Sequence, residues 1–298
     1  MSLGRVGIWS LAFTHGNRHR AAQAAAELEE LGYGTLWFGG RPGGNPRGDL
    51  VRPAELLAAT DRITVATAGV SIWTQEAATL AADYHALPPA RRERLILGLA
   101  VSHPLTEARY RLPYTALCTY FDELDGSTVP LPQSARLVCA HGPKMTRLAG
   151  TRSAGVHPHL TIPSHTASAR KALGEGPILA PSVSVVMETN VSSARATARA
   201  ALAPYLIQPN YANAWLRSGF TTSDLSAPGS DRLIDAVFAR GTPERIAERI
   251  TEHLTAGADH VAVQVVTRSP HSFPRAEWRA LAEVLLSDRS PRLSESRR

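Results

Sequence analysis

The 298-residue sequence predicts an α/β protein, and more narrowly a (β/α)8 TIM barrel. Short apolar runs of the kind that a parallel sheet buries alternate with amphipathic helices along the whole chain. Eight such units in roughly 250–300 residues fit a closed barrel, whereas a doubly wound open sheet normally ends earlier. The clearest unit is the segment TPERIAERITEHLTAGADHVAVQVV, which begins at Thr242.

This segment predicts a helix that begins at Thr242-Pro243 and ends at Gly257. Threonine is a favoured N-terminal cap, proline fits the first turn, and glycine fits the left-handed residue that ends a helix. Apolar residues recur every four positions at Ile246, Ile250 and Leu254. The β-branched run His260–Val266 then predicts a buried strand. A capped amphipathic helix followed at once by such a strand is half of an α/β repeat.

The same alternation predicts the rest of the barrel. The other strands are expected at Val6–Trp9, Thr35–Phe38, Ile63–Thr67, Leu95–Val101, Ala135–Ala140, Gly155–Leu160 and Val183–Met187. The other helices are expected near Arg20–Leu31, Pro53–Thr60, Glu76–Leu87, Met145–Ser153, Ser164–Leu173, Ser192–Leu202 and Arg275–Leu286.

We expect one barrel domain over residues 1–288 and a flexible C-terminal tail over 289–298. Residues 204–230 form an insertion before the last strand. Two interpretations of this insertion have equal weight. It is either a functional lid at the barrel mouth, or a helical hairpin packed on the barrel or in a dimer contact.

Composition excludes several functional classes. The formal net charge of +6 and the pI near 9.7 permit nucleic-acid binding, but the arginines are scattered and no nucleic-acid-reading motif is present. The two cysteines, Cys118 and Cys139, suit a reduced cytoplasm. No signal peptide opens the chain, and no apolar run reaches the roughly 18 residues of a membrane span. We therefore expect a cytoplasmic homodimer that acts on a small-molecule substrate, without nucleic-acid or membrane partners.

The residues that follow each strand converge on one mouth of a barrel, so the strand ends are the candidate site. They carry aromatic residues, glycines and histidines, with very few carboxylates. We expect an apolar substrate pocket formed by Trp9, Phe13, Trp73, Tyr211 and Trp215. Histidines near the sixth strand lack cysteine or acidic partners, so we expect no metal. No nucleophile elbow and no GxGxxG motif is present, which disfavours a hydrolase and a Rossmann nicotinamide site.

Gly142-Pro143 opens a predicted helix and is a candidate anion site. The free N–H groups and the positive end of a helix attract an anion, and a glycine lets the backbone approach it. Lys144 adds a positive charge, and Met145 follows it in the first turn. We expect Gly142, Pro143, Lys144 and Met145 to bind a cofactor phosphate.

Three motifs give the chain a family resemblance. AGADHVAVQV, in the last repeat, resembles the bacterial luciferase-like oxidoreductases. GLAVSHP, which begins at Gly98, is similar to the GLGVSHP signature of a deazaflavin-dependent subgroup of that family. PNYAN, which begins at Pro209, also resembles this subgroup. The resemblance implies a luciferase-like barrel with coenzyme F420, an 8-hydroxy-5-deazaflavin, or with FMN as the alternative cofactor.

The resemblance also implies roles for residues at the strand ends. A non-prolyl cis peptide is expected within Ala68–Val70, and glycine at position 69 suits a bulge pressed against a ring. The residues expected at the ring are Phe38, Gly39, Ala68, Gly69, Val70, Val101 and Ser102. His103 is the expected catalytic proton donor, with Ser102 beside it. The rate is then expected to fall as the pH rises through the pKa of His103.

One departure from the relatives lies just after the second strand, where Gly39-Gly40 replaces an acidic residue that they often carry. The leading prediction is F420-dependent hydride transfer to or from an activated C=C or C=N bond of a small organic substrate. One alternative is an FMNH2-dependent monooxygenase that uses molecular oxygen. The other is a degenerate barrel that binds a ligand without a cofactor, which Gly39-Gly40 slightly favours.

Overall fold

The computed structural model describes residues 3–40, 44–45 and 47–287. Within these residues the strands are β1 Val6–Trp9, β2 Thr35–Phe38, β3 Thr64–Thr67, β4 Val70–Ser71, β5 Leu95–Ala100, β6 Arg136–Cys139, β7 Gly155–Val156, β8 Ile178–Leu179, β9 Ser182–Val186, β10 Phe238–Arg240 and β11 Val261–Val265. Every strand pair in the sheet is parallel.

Helices follow most of the strands. They are α1 Ala12–His15, α2 Arg18–Glu30, α3 Val51–Ala58, α4 Ala77–Ala86, α5 Pro89–Arg92, α6 Pro113–Asp125, α7 Pro143–Arg152, α8 Pro163–Leu173, α9 Val191–Leu206, α10 Pro209–Arg217, α11 Thr222–Leu225, α12 Asp231–Val237, α13 Pro243–Thr255 and α14 Arg275–Leu285. Among the described residues, no helix combines the length and the apolar character that a bilayer crossing requires.

The parallel ladder forms a closed ring. Strands β8 and β9 occupy one barrel position and are separated by Ala180-Pro181. β8 pairs with β7, β9 pairs with β11, and β11 pairs with β1. The ladder between β7 and this position continues through Ser182, whose N–H donates to the carbonyl oxygen of Pro158 at 2.8 Å. The ring order is therefore β1, β2, β3, β5, β6, β7, β8 with β9, and β11.

The observed elements confirm the predicted (β/α)8 barrel. The sixth strand is shorter than predicted, because Pro158 has no N–H for the ladder and Leu160 has a φ of 52°. The helix of the clearest repeat begins at Pro243, and Gly257 has a φ of 101° at its end. The predicted tail, 289–298, lies outside the described residues.

Helix α6 is the main element that the sequence analysis did not assign. It buries Leu117, Tyr120, Phe121 and Leu124, which share one helical face. The insertion 204–230 is helical, and it contributes the end of α9, then α10 and α11. Strands β4 and β10 are short additions that pair with β5 and β9.

The fully buried Trp37 lies in the barrel interior, in a cluster that also holds Ile96 and Leu137. Its ring stacks on His157, with ring centroids 4.3 Å apart. Its Nε1–H donates to Nε2 of His260 at 3.0 Å, and Nδ1–H of His260 donates to the carbonyl oxygen of Gly4 at 2.8 Å. A Cβ at Gly7 would lie 2.9 Å from the His260 ring, so this strand leaves room for the imidazole. The alternate residues Ile8 and Leu36 face the helix layer.

We expect His260 to make the fold sensitive to acid. Burial lowers its pKa to about 4, from an ordinary value of 6.5. As the pH falls, His260 of the unfolded chain therefore binds a proton near pH 6.5, whereas His260 of the folded chain binds one only near pH 4. The free energy of unfolding is therefore at its full value above pH 6.5. Below that pH it decreases by up to about 1.36 kcal/mol per pH unit because of this residue.

The variant His260→Gln tests this expectation, because glutamine can accept from Trp37 and donate to Gly4 without titrating. Urea unfolding between pH 7 and pH 5 should show a shallower loss of unfolding free energy than in the wild type. The remaining slope should come from other buried histidines, such as His157 and His253, whose pKa values burial lowers to about 3. An unchanged slope in the variant would contradict the assignment.

Candidate active site

A cavity of about 560 Å³ opens at the carboxyl ends of β1 to β7. The insertion closes one side of it, because α10 and the residues before it contribute side chains. The residues that line the cavity include Trp9, Leu11, Gly39, Gly40, Ala68, Gly69, Val101, Ser102, His103, Glu107, Cys139, His141, Gly142, Met145, His157, His159, Tyr205, Gln208, Asn210, Tyr211 and Arg217. The mouth of the barrel is therefore the candidate site, as the fold predicts.

Histidines give this cavity its polar character. Nδ1–H of His157 donates to the carbonyl oxygen of Ala180 at 2.7 Å, and the ring of His159 stacks on Trp9 with centroids 5.2 Å apart. Burial lowers the pKa of His157 and of His159 to about 3. Burial also lowers the pKa of His141 well below its ordinary value. At neutral pH these imidazoles are uncharged hydrogen-bonding groups.

A row of glycines forms the rim at β2, β3 and β5. A Cβ at Gly40 would lie 2.1 Å from the carbonyl oxygen of Gly69, and a Cβ at Gly69 would lie 2.5 Å from that of Gly98. Each backbone therefore occupies the space that a side chain of its neighbour would need. The Ala68-Gly69 peptide is cis, as predicted. No acidic side chain fits at Gly40, which gives a physical reason for the departure from the relatives.

His103 lies at the end of β5, next to Ser102, whose φ is 58°. Its Nδ1–H donates to Oδ1 of Asn210 at 3.2 Å, and the ring of Tyr211 lies 5.5 Å away. Burial lowers the pKa of His103, and the hydrogen bond with Asn210 opposes this shift. The imidazole is thus neutral at pH 7. Because Nδ1 carries the proton, Nε2 is left as the basic nitrogen.

Four buried side-chain atoms of the cavity wall have no hydrogen-bond partner among the described residues. They are Nε1 of Trp9, Nδ1 of His141, Nε2 of His157 and Oε1 of Gln208. A buried polar atom without a partner costs about 1–3 kcal/mol, and such atoms are rare in proteins. The wall of the cavity is therefore rich in hydrogen-bonding groups, although these four atoms are themselves almost inaccessible to solvent.

The cavity has a positive end near α7. Gly142 precedes the first helical residue, and no atom lies within 4 Å of where its Cβ would be. A side chain at Gly142 would thus meet open space, and the first N–H groups of a helix, which have no acceptor within the helix, are a favourable place for an anion. The ammonium group of Lys144 lies 3.8 Å from the centre of the Tyr114 ring. Arg217 lines the cavity and has no ion-pair partner in the described part of the chain.

The structure brings together most of the residues predicted for the site. Those that line the cavity are Trp9, Gly39, Ala68, Gly69, Val101, Ser102, His103, Gly142, Met145 and Tyr211. Pro143 and Lys144 lie in the first turn of α7, beside it. Phe38 and Val70 line a smaller neighbouring pocket of about 180 Å³ instead. Phe38 alternates with the inward-facing Trp37, so its side chain packs towards the helices.

Three predicted pocket residues lie elsewhere. Phe13 is fully buried in the helix layer and stacks on Trp278, with centroids 6.1 Å apart. Trp73 donates Nε1–H to the carbonyl oxygen of Val101 at 2.7 Å and packs behind that strand. Trp215 donates to the carbonyl oxygen of Leu160 at 3.1 Å, within the apolar cluster under the insertion.

Sequence reasoning missed several cavity residues. His141 and His157 stand at strand ends, so the barrel topology was a signal for both. Gln208, Asn210 and Arg217 belong to the insertion. Asn210 lies in the PNYAN motif, whereas no local pattern marks Gln208 or Arg217. Within the described residues, no group of three or more histidine, cysteine or acidic side chains is arranged to hold a metal ion.

Comparison with known proteins gives likeness in structure only. No family model and no curated protein sequence matches the chain. An F420-dependent secondary alcohol dehydrogenase, solved with an F420-acetone adduct, superimposes with a TM-score of 0.71 at 13% identity, over 95% of this chain and 98% of that one. The coenzyme F420-dependent tetrahydromethanopterin reductase of Methanopyrus kandleri gives 0.72 at 17% identity, over 94% and 97%.

A flavin protein is similar as well. The oxygenating constituent of 3,6-diketocamphane monooxygenase from Pseudomonas putida, solved with FMN, gives a TM-score of 0.64 at 17% identity, over 97% of this chain and 98% of that one. The likeness thus covers nearly the full length of each chain. Together with the closed parallel ring, it confirms the (β/α)8 barrel fold that the sequence predicts, and this fold is the one that these F420- and FMN-dependent proteins have.

Proposed function

We propose that the protein is an oxidoreductase that binds coenzyme F420 and transfers a hydride to or from an activated C=C or C=N bond of a small organic substrate. The observation that carries this proposal is the cavity at the barrel mouth, which has a glycine rim and a hydrogen-bonding wall without buried charge. The volume of about 560 Å³ lies in the range of cofactor sites.

The unpartnered atoms match the chemistry of a deazaflavin ring. Nε1–H of Trp9 is a donor, whereas Nε2 of His157 and Oε1 of Gln208 are acceptors. The pyrimidine edge of a flavin or deazaflavin carries both carbonyl oxygens and an N–H group, so it can satisfy both kinds of partner. The glycine row at Gly40, Gly69 and Gly98 would let a flat ring approach the backbone.

The anionic part of the cofactor would lie at Gly142 and the first turn of α7. The accessible N–H groups and the helix dipole favour an anion there. Lys144 and Arg217 would add positive charge on either side of the tail. Phe38, Val70 and Pro143 would support the site from behind its walls.

His103 is the group that we propose for proton transfer. When bound, the deazaflavin would supply the hydride acceptor or donor of the reaction. The neutral His103, with Nδ1–H held by Asn210, would present Nε2 to the substrate. It would accept a proton when the substrate is oxidised and return it when the substrate is reduced. Ser102 lies beside it, and Trp9 and Tyr211 would exclude water.

The same ring edge occurs in FMN, and the likeness to an FMN-bound monooxygenase constituent keeps FMNH2-dependent oxygenation as the alternative. The similarity of residues 98–104 to the deazaflavin signature favours F420. Cofactor-free ligand binding is the third interpretation. That the protein is a cytoplasmic homodimer stays a prediction from the sequence.

Titration of the purified protein with F420 and, separately, with FMN tests the cofactor. We expect one F420 per chain, with a dissociation constant at least tenfold lower than that of FMN, followed by absorbance and fluorescence. Trp9→Phe keeps the ring contact with His159 but removes the donor, so affinity should fall about fivefold, or about 1 kcal/mol. Binding of neither cofactor to the wild type would contradict the proposal and favour the cofactor-free interpretation.

Substitution at Gly142 tests where the anionic tail lies. Asparagine and aspartate have nearly the same shape, and both fit the open space at this position. Gly142→Asp should weaken cofactor binding at least tenfold relative to Gly142→Asn, because only the aspartate repels the tail. Equal affinities in the two folded variants would place the tail elsewhere.

Substitution of His103 tests the proton transfer. With the best substrate from a screen of amines, imines and conjugated alkenes, His103→Ala should lower turnover about 10²–10⁴-fold and leave cofactor affinity nearly unchanged. The falling rate at rising pH that the sequence predicts belongs to substrate reduction, in which His103 donates a proton. For substrate oxidation His103 is the base, so the wild-type rate should be level at neutral pH and fall as the pH drops through the pKa of His103, which burial lowers. If His103→Ala binds the cofactor more weakly but keeps the wild-type rate at saturating cofactor, His103 is a residue that binds the ring and does not transfer the proton.

A further inference from the structure

A second cavity, of about 610 Å³, lies beside the first. It opens at the carboxyl ends of β1, β9 and β11 and is covered by α9. The two cavities share three wall residues, Leu11, Pro204 and Tyr205. The ring of Tyr205 stands against His159 and Tyr211 of the first cavity, with centroids 5.6 Å and 4.9 Å away. A single layer of side chains therefore separates the two spaces.

Most of the wall of this second cavity is apolar. Leu160 and Phe238 form its buried side, and Val265 and Val266 line it from β11. The facing side of α9 carries the small residues Ala196 and Ala200, whose short side chains leave the space open. An apolar cavity of this size binds water poorly and favours an apolar occupant.

Polar side chains also line this cavity, and two of them, Ser184 and Gln264, are hydrogen-bonded to each other. The hydroxyl of the fully buried Ser184 donates to Oε1 of Gln264 at 2.8 Å, which fixes the orientation of the amide. The amide N–H groups of Gln264 have no partner among the described residues. Since no carboxylate lines the cavity, these N–H groups require an acceptor from a ligand or from water.

We propose that the second cavity binds the body of the substrate, and that this substrate is a neutral, largely apolar molecule with one hydrogen-bond-accepting group. The acceptor would meet the amide of Gln264, and the apolar part would lie between Phe238 and the alanine face of α9. This inference rests on the proposed function in one respect: the reacting end of the substrate would extend past Tyr205 to reach the cofactor ring in the first cavity.

The charge distribution favours a neutral occupant. The one cation of the lining, Arg268, is exposed at the rim, where it donates to the hydroxyl of Ser193 at 3.3 Å. The buried part of the wall offers the amide and hydroxyl groups of Gln264 and Ser184, with no charge to compensate a carboxylate or a phosphate. Burying an unpaired ionic group there would be costly.

Prodan, a neutral naphthalene ketone whose emission moves to the blue in apolar surroundings, is a suitable probe. We expect saturable binding of one prodan per chain with blue-shifted emission. Ala200→Phe places a ring in the cavity and should weaken binding at least tenfold. Ala203→Phe is the matched control, because Ala203 is an exposed residue of the same helix that does not line the cavity. The prodan affinity of this variant should stay within about twofold of the wild-type value.

Two further measurements separate this inference from the proposed function. Gln264→Leu should shift the bound prodan emission further to the blue, because the carbonyl loses its donor. Cofactor titration of Ala200→Phe should match that of the wild type. If prodan binds as expected but no cofactor does, the second cavity stands and the proposed function fails. Three results would overturn the inference: prodan binding that does not saturate, prodan affinity that is unchanged by Ala200→Phe, or displacement of prodan by F420 or FMN.

Discussion

The contact between Trp37 and its two histidines determines where the cavity ends. Trp37 lies in the barrel interior, His260 accepts a hydrogen bond from its indole, and the ring of His157 stacks on it. A barrel interior is normally packed with branched aliphatic side chains. Here an aromatic ring joins Ile96 and Leu137 in that volume, and an imidazole covers it. The floor of the candidate site is therefore polar, although the barrel beneath it is closely packed.

Polarity without charge is the main property of the site. Burial lowers the pKa values of five histidines in or next to the cavity, so these five contribute hydrogen-bonding groups and little electrostatic field. Formal charge is limited to the rim, where Glu107 and Arg217 lie. Such a cavity suits a heterocycle with many dipoles better than it suits a compact ion. In the proposed function, the anionic portion of the cofactor would lie towards α7.

The fold could be predicted because each repeat is short and clearly bounded, as the observed helix from Pro243 shows. Strand order alone then placed residues as distant as Trp9 and Gly142 at one mouth. Side-chain direction was harder. Phe38 was expected at the ring, yet Trp37 and Gly39 share the inward face, and the alternation of a strand sends Phe38 outward. Phe13 and Trp215 were expected in the pocket for a similar reason. Each lies in a helix, and a helix can bury an aromatic residue against its neighbours as easily as it can present one to the barrel mouth.

The insertion was recognisable from the sequence, but its contribution was not. His103 and Asn210 are 107 residues apart, and no local pattern relates them. The second cavity was equally hidden, because it depends on which face of α9 turns inward. Close backbone packing explains a further difference. Gly39-Gly40 suggested a lost acidic group, whereas the structure shows that the backbone of Gly69 occupies the space above Gly40.

One continuous stretch of chain, from Tyr205 to Arg217, borders both cavities. Tyr205 stands in the wall between them, and a few residues later Asn210 orients His103. The size of one compartment and the alignment of the imidazole in the other are thus coupled mechanically. Evolution or design cannot reshape this stretch to admit a bulkier molecule without also moving the histidine. Changes in selectivity would be accommodated more easily on the opposite wall, at β11, where Val265 and Val266 face only the second cavity.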